Sequence, residues 1–173
     1  MDDVSIAKLK KQPIIIFPVS SILFDIYNRL IRPQIQASNQ LFTYQKISFS
    51  NPTLFIKEGK KVFLVNNFEV FHTLKIVDSS QLLNQMISVI QISENQFRID
   101  TVFYELIDII TRYQKILDIE AIYKDINEFL TPELNQQLFE KNIFSIPTFC
   151  HLISISEQTY YKRCKKGAEN GAK

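Results

Sequence analysis

Three glycines, two cysteines, two histidines and no tryptophan among 173 residues exclude several kinds of function before any motif is read. The glycines stand at 59, 167 and 171, so neither a Walker phosphate loop nor a dinucleotide fingerprint can be assembled. Cys150 and Cys164 with His72 and His151 do not make a four-ligand zinc spacing, and two cysteines do not make a disulfide framework. Both thiols read as small residues of a reducing cytosol. Long apolar runs are missing too. Ile14-Ile15-Ile16-Phe17 follows Lys8, Lys10 and Lys11 but stops at Pro18, far short of the ~20 residues of a membrane span, and no cleavage site follows. The expectation is a cytoplasmic protein with no membrane segment, no metal, no cofactor and no small-molecule substrate.

What is present is apolar and aromatic: 46% hydrophobic residues, with 14 Phe and 7 Tyr, suffice for a core. The net charge of +2 conceals an uneven distribution. Residues 1–100 hold eleven Lys/Arg against eight Asp/Glu, residues 101–142 four against eight, and residues 143–173 five against two. A basic end thus follows an acidic connector, a distribution that suits a nucleic-acid reader.

That basic end contains the most informative stretch, Ser145 to Lys166. Ser145 and Pro147 mark a helix start, and Phe149, Leu152 and Ile153 share a face. Ser156 before Glu157, Gln158 and Thr159 marks a second start, with Tyr160 as its inward anchor. Between them Cys150 permits close crossing, Ser154 takes the bend, and Ile153, Ile155 and Tyr160 fill the angle. The stretch resembles the helix-turn-helix of bacterial DNA-binding proteins, with Ser154 and Cys150 where that motif usually has Gly and Ala. The resemblance implies duplex DNA as partner. Gln158, Thr159 and Tyr161 are the candidates for base readout, and Lys162, Arg163, Lys165 and Lys166 for phosphate. The competing interpretation is a non-enzymatic protein-protein interaction module whose basic helix end only complements the helix dipole.

Upstream, the pattern predicts a strand at 13–17, a helix from Val19 to Leu30 closed by Arg29, Arg32 and Pro33, and a strand or loop over Leu41 to Phe49. A hairpin of Thr53–Ile56 with Val62–Val65 turns at Gly59. A helix follows from Phe68 to Val77, capped by Asn66 and Asn67, with Val70, Phe71, Leu74 and Val77 on one side and His72 on the surface. A short helix over Gln81–Met86 and a strand over Ile87–Ile92 complete a small α+β domain at 1–94.

Val19-Ser20-Ser21-Ile22, then Lys61-Val62-Phe63-Leu64-Val65-Asn66-Asn67, then Ile87-Ser88-Val89-Ile90 resemble, in that order, the N-terminal domain of ParB-like proteins. There a V-x-x-I opening, a Y-x-L-V-x-G-x-R-R corner and an I-P-V strand precede a helix-turn-helix. The resemblance implies a ParB/sulfiredoxin-like fold and a setting in plasmid or replicon maintenance or transcription regulation. The corner departs from the family, reading Asn66-Asn67-Phe68-Glu69-Val70, without its glycine and paired arginines. Nucleotide binding is therefore not carried over, and the domain is expected to serve partner contacts or as a scaffold.

Residues 95–166 read as a helical connector leading into the helix-turn-helix, and 167–173 as a disordered tail that begins at Gly167, a natural helix stop. Val102, Phe103, Leu106, Ile107, Ile109 and Ile110, continued by Tyr113, Ile116 and Leu117, form a broad apolar face. That face is the expected surface of a homodimer, since one recognition helix buries only roughly 600–1,000 Å² on DNA; its competing use is as the spine inside one chain. Glu105, Asp108, Asp118, Glu120 and Asp125 read as a solvated acidic face rather than a catalytic pair. No catalytic residue is expected.

Overall fold

In the computed structural model, residues 2–11, 13–38, 52–76 and 86–170 are described. In chain order they form β1 (Asp2–Ser5), α1 (Ile6–Lys10), β2 (Ile14–Ile16), α2 (Ser21–Ile26) and, beyond a π turn at Tyr27–Ile31, α3 (Arg32–Ala37). The hairpin β3 (Thr53–Glu58) and β4 (Lys61–Leu64), α4 (Phe68–Ile76) and β5 (Met86–Ile92) follow. The remainder is helical: α5 (Ile99–Tyr113), α6 (Ile119–Phe129), α7 (Pro132–Phe139), α8 (Ile146–Leu152) and α9 (Glu157–Asn170). The fold is α+β, with one five-stranded mixed sheet.

Two compact units can be delimited, and each draws on two stretches of chain. The first comprises Met1–Phe24 with Phe42–Glu105, the second Asp25–Leu41 with Leu106–Lys173. The sequence pattern suggests a single cut near residue 94. It gives no sign that Asp25–Leu41 belongs with the C-terminal helices, because an amphipathic helix does not advertise which partner covers it.

The sheet of the first unit has the order β1-β5-β3-β4-β2. The hairpin β3–β4 is antiparallel, pairing Phe55 with Leu64 and Glu58 with Lys61. Gly59 takes φ +59° in its two-residue turn, the type II′ arrangement whose twist suits a hairpin. Strand β5 lies parallel to β3 and antiparallel to β1. At the other edge β2 runs parallel to β4, and Phe17 N–H extends the pairing to the Leu64 carbonyl at 2.8 Å. Pro13 and Pro18 bracket β2, which keeps that edge short. β1 and α1 have no counterpart in the sequence reading: Asp2 and Asp3 carry no strand-like alternation, and α1 is a five-residue helix capped by Ser5 that buries Ile6 and Leu9.

Four expectations need correction or fall outside the described residues. The helix from Val19 does not close at Pro33: after a short 3-10 turn at Pro18–Ser20 it continues to Ala37. The π turn absorbs the proline, with Arg32 N–H bonded to the Tyr27 carbonyl five residues back. His72 is buried rather than on the surface, because α4 is sunk on more than one side. Phe68 and Val70 are buried with it, and Phe24 packs on Phe68 and Phe71 at ring distances of 4.5 and 5.5 Å. Helix α9 continues past Gly167 to Asn170, a glycine being tolerated inside a helix at a cost of about 1 kcal/mol. The segments 41–49 and 81–85 lie outside the described residues, and Met86 opens β5.

In the second unit α6 and α7 are capped by Asp118 and Thr131, which accept from Ala121 N–H at 3.1 Å and Leu134 N–H at 3.3 Å. Arg29 bridges Asp25 and Asp125, and the Gln34 side chain accepts from Asp118 N–H at 2.7 Å, which tie the first stretch of this unit to α6. The acidic residues of the connector are thus not merely a solvated face. Asp118 caps a helix, Asp125 and Glu120 pair with Arg29 and Lys124, and Asp108 pairs with Arg112.

The apolar face expected to join two copies is spent within one chain. Val102, Phe103, Leu106, Ile107, Ile110 and Leu117 are all buried, and Ile109, Tyr113 and Ile116 are half-buried. It therefore does not present the open surface that a contact with a second protomer would need.

Candidate nucleic-acid interface

Helices α8 and α9 form a helix-turn-helix whose every joint has a local cause. Ser145 caps α8, its Oγ accepting from Thr148 N–H, with Pro147 in the first turn where no N–H is needed. Phe144 precedes the cap and contacts Phe149 in the next turn at 6.1 Å, a hydrophobic staple that sets how the chain enters the helix. At the far end Ser154 N–H bonds the His151 carbonyl at 3.2 Å and Ile155 N–H the Cys150 carbonyl at 3.0 Å. This pair of bonds is a Schellman stop, and it places Ser154 at φ +58°. Two residues on, Ser156 Oγ accepts from Thr159 N–H at 3.1 Å and lies 2.9 Å from Thr159 Oγ1, starting α9.

Ser154 holds the left-handed position that glycine fills at no steric cost. Ser154→Gly is expected to raise the stability of the chain by about 0.5–1 kcal/mol, the relief of backbone strain exceeding the added freedom of the unfolded chain. Urea denaturation of the two proteins checks this, and a loss of stability would show that the serine hydroxyl contributes more than its backbone costs.

The angle between the helices is filled by rings. Phe149 is fully buried and contacts Tyr123 at 5.4 Å and Tyr160 at 6.3 Å, while Tyr123 lies 5.8 Å from Phe144 and 6.1 Å from Tyr160. The Tyr123 hydroxyl donates to the Phe144 carbonyl at 3.2 Å. Cys150 and Ile153 are buried beside this cluster, as the sequence pattern predicts; Ile155 is half-buried. Burial pushes the Tyr160 hydroxyl and the Cys150 and Cys164 thiols up, so none is a ready nucleophile at neutral pH.

The outer side of α9 is polar. Gln158, Tyr161, Lys162 and Lys165 are exposed and follow the spacing i, i+3, i+4, i+7, hence one face, with Tyr161 49% exposed. Thr159 and Arg163, in the same candidate set, lie elsewhere. Thr159 is half-buried and engaged in the cap, and Arg163 is half-buried with Nη1 donating to the Gln114 carbonyl at 2.8 Å. Lys166 is on the same helix, but its side chain lies outside the described residues. Sequence reasoning missed Tyr123, Phe144 and Gln114. The staple position of Phe144, just before the capping serine, was a usable signal, whereas nothing local marks Tyr123 or Gln114.

The β4–α4 corner is the other place where an anion could be expected, since a helix N-terminus attracts negative charge. It already holds one. Glu105 accepts from Asn67 N–H at 3.0 Å and Phe68 N–H at 3.2 Å, one carboxylate oxygen to each. Asn67 adopts φ +67°, donates to Thr53 Oγ1 and accepts from Val70 N–H, taking up the left-handed bend that a glycine would otherwise supply. Burial, with Glu105 nearby, pushes the Glu69 carboxyl up to about 7. A phosphate entering here would meet two acidic side chains and N–H groups already engaged.

Among the described residues no cluster of His, Cys, Asp or Glu could hold a metal ion, and no helix is long and apolar enough to cross a membrane. No protein-family model, curated protein or solved structure matches the chain.

Proposed function

We propose that this protein binds duplex DNA by laying α9 in the major groove. The single observation that carries the reading is the exposed row Gln158, Tyr161, Lys162 and Lys165 on a helix held by a capped, Schellman-closed turn. Lys162 and Lys165 neutralise phosphates, and Gln158 and Tyr161 reach base edges. The α+β part belongs to the same reading as a ParB/sulfiredoxin-like domain that has lost its phosphate corner and serves as scaffold. The setting is cytoplasmic, in replicon maintenance or transcription regulation. A homodimer on a two-fold site fits the small reach of one recognition helix, with a contact surface other than the buried face of α5.

Fluorescence anisotropy against a random duplex pool tests the reading. Binding should weaken steeply with salt, and Lys162→Ala and Lys165→Ala should each flatten the slope of log K against log salt by about one. Salt-insensitive binding, or none, would refute it. A protein-docking role is favoured by one observation, the exposed Ile15, Val19 and Ile22 of the first unit. It predicts that function survives loss of both lysines.

A further inference from the structure

We infer that Gln114, a residue outside the helix-turn-helix, sets the orientation of α9 on DNA, and that Arg163 acts with it as a positioning residue rather than as a phosphate contact. The inference rests on the DNA-binding reading and adds how its selectivity is produced.

Gln114 directly follows α5 and is half-buried. Its side-chain Nε2 donates to the Ile153 carbonyl at 3.1 Å, at the residue where α8 ends and the turn begins. Its own backbone carbonyl accepts from Arg163 Nη1 at 2.8 Å, nearly two turns into α9. One residue therefore holds both arms of the motif. The ring cluster of Phe149, Tyr123 and Tyr160 drives the helices together, but apolar contact is non-directional and restrains rotation of α9 about its own axis weakly. Hydrogen bonds to two points far apart on the motif supply the missing direction.

Arg163 also lies off the exposed row. Tyr160, Arg163 and Cys164 have i, i+3, i+4 spacing on the inner side of α9, opposite Gln158, Tyr161, Lys162 and Lys165. With its guanidinium turned to Gln114, Arg163 fixes where the outer row points. Base-edge hydrogen bonds tolerate only small displacements, whereas lysines on flexible stems follow a phosphate as the helix shifts. Loosening the clamp therefore degrades sequence selectivity and leaves non-specific affinity intact.

The test uses the full chain, a duplex selected by the unmodified protein from a random pool, and a scrambled duplex of the same composition. Gln114→Met keeps the backbone carbonyl but removes the donor to Ile153, and Arg163→Met removes the donor to Gln114. Each should lower the ratio of affinities for selected over scrambled duplex about tenfold, with scrambled-duplex affinity and salt slope unchanged. Arg163→Lys, which keeps a donor, should recover part of the ratio. Should Arg163→Met flatten the salt slope by about one and preserve the ratio, Arg163 is a phosphate contact and the inference is overturned. Unchanged ratios in both methionine variants overturn it as well while leaving the DNA-binding reading standing. Absence of salt-dependent binding by the unmodified chain overturns both.

Discussion

Phe149→Ala is expected to destabilise the second unit by about 3–5 kcal/mol, the range for emptying a fully buried aromatic site. Phe149 has no exposed surface and is ringed by Tyr123, Phe144 and Tyr160. Its loss removes a common neighbour of α6, the staple of α8 and the inner side of α9. These groups are anchored by their own caps and bonds, so they cannot collapse freely into the void. With no tryptophan in the chain, tyrosine fluorescence in a urea titration follows the unfolding, Tyr123 and Tyr160 of this cluster being two of the seven tyrosines. Phe149→Leu, which fills most of the volume, should cost about 1 kcal/mol. A loss below 1 kcal/mol for the alanine variant would mean that the ring cluster does not hold the two helices.

Stability should also fall as pH rises through neutrality, on account of Glu69. Its folded carboxyl titrates at about 7 against an ordinary value of 4.5, raised by burial and then by Glu105. Between these values the folded protein keeps a proton that the unfolded chain releases, so stability declines with pH. The contribution is complete below the ordinary carboxylate value and lost above about pH 7, for a total of about 2–3 kcal/mol after allowance for the partial exposure of the group. Glu69→Gln keeps the shape and removes the titration. It should match the parent protein near pH 4 and exceed it by about 2 kcal/mol at pH 8. Chemical denaturation at the two pH values measures this directly, and equal stability of the variant and parent at pH 8 would show that Glu69 meets no electrostatic penalty when ionised.

The parts of the fold that the sequence disclosed are those written in local chemistry. Ser145, Ser156 and Gly59 each announce a cap or turn by residue type, and each stands where that chemistry requires. What stayed hidden depends on partners distant in the chain. His72 faces away from the expected apolar stripe yet is buried, because α4 is covered on more than one side. Pro33 reads as a terminator, and only the π turn before it lets the helix continue. Within the candidate site, the outward row of α9 was legible from its composition and spacing. The capping role of Thr159 and the inward turn of Arg163 were not, since a half-buried arginine and an exposed one have the same one-letter signature.

The split make-up of the second unit has a consequence for how the chain must be made. Asp25–Leu41 leaves the ribosome well before Leu106, the first residue of its other stretch. At about 5–20 residues per second, the 65 positions from Leu41 to Leu106 take roughly 3–13 s to synthesise. Throughout that interval Ile31 and Ile35, both buried in the finished protein, have no C-terminal helices to meet. In the nascent chain these two apolar side chains therefore wait for seconds before the helices that cover them are made. By the same logic a fragment beginning at Leu106 would lack Arg29 for Asp125 and Gln34 for Asp118, so the C-terminal helices are not a cassette that can be excised and grafted elsewhere.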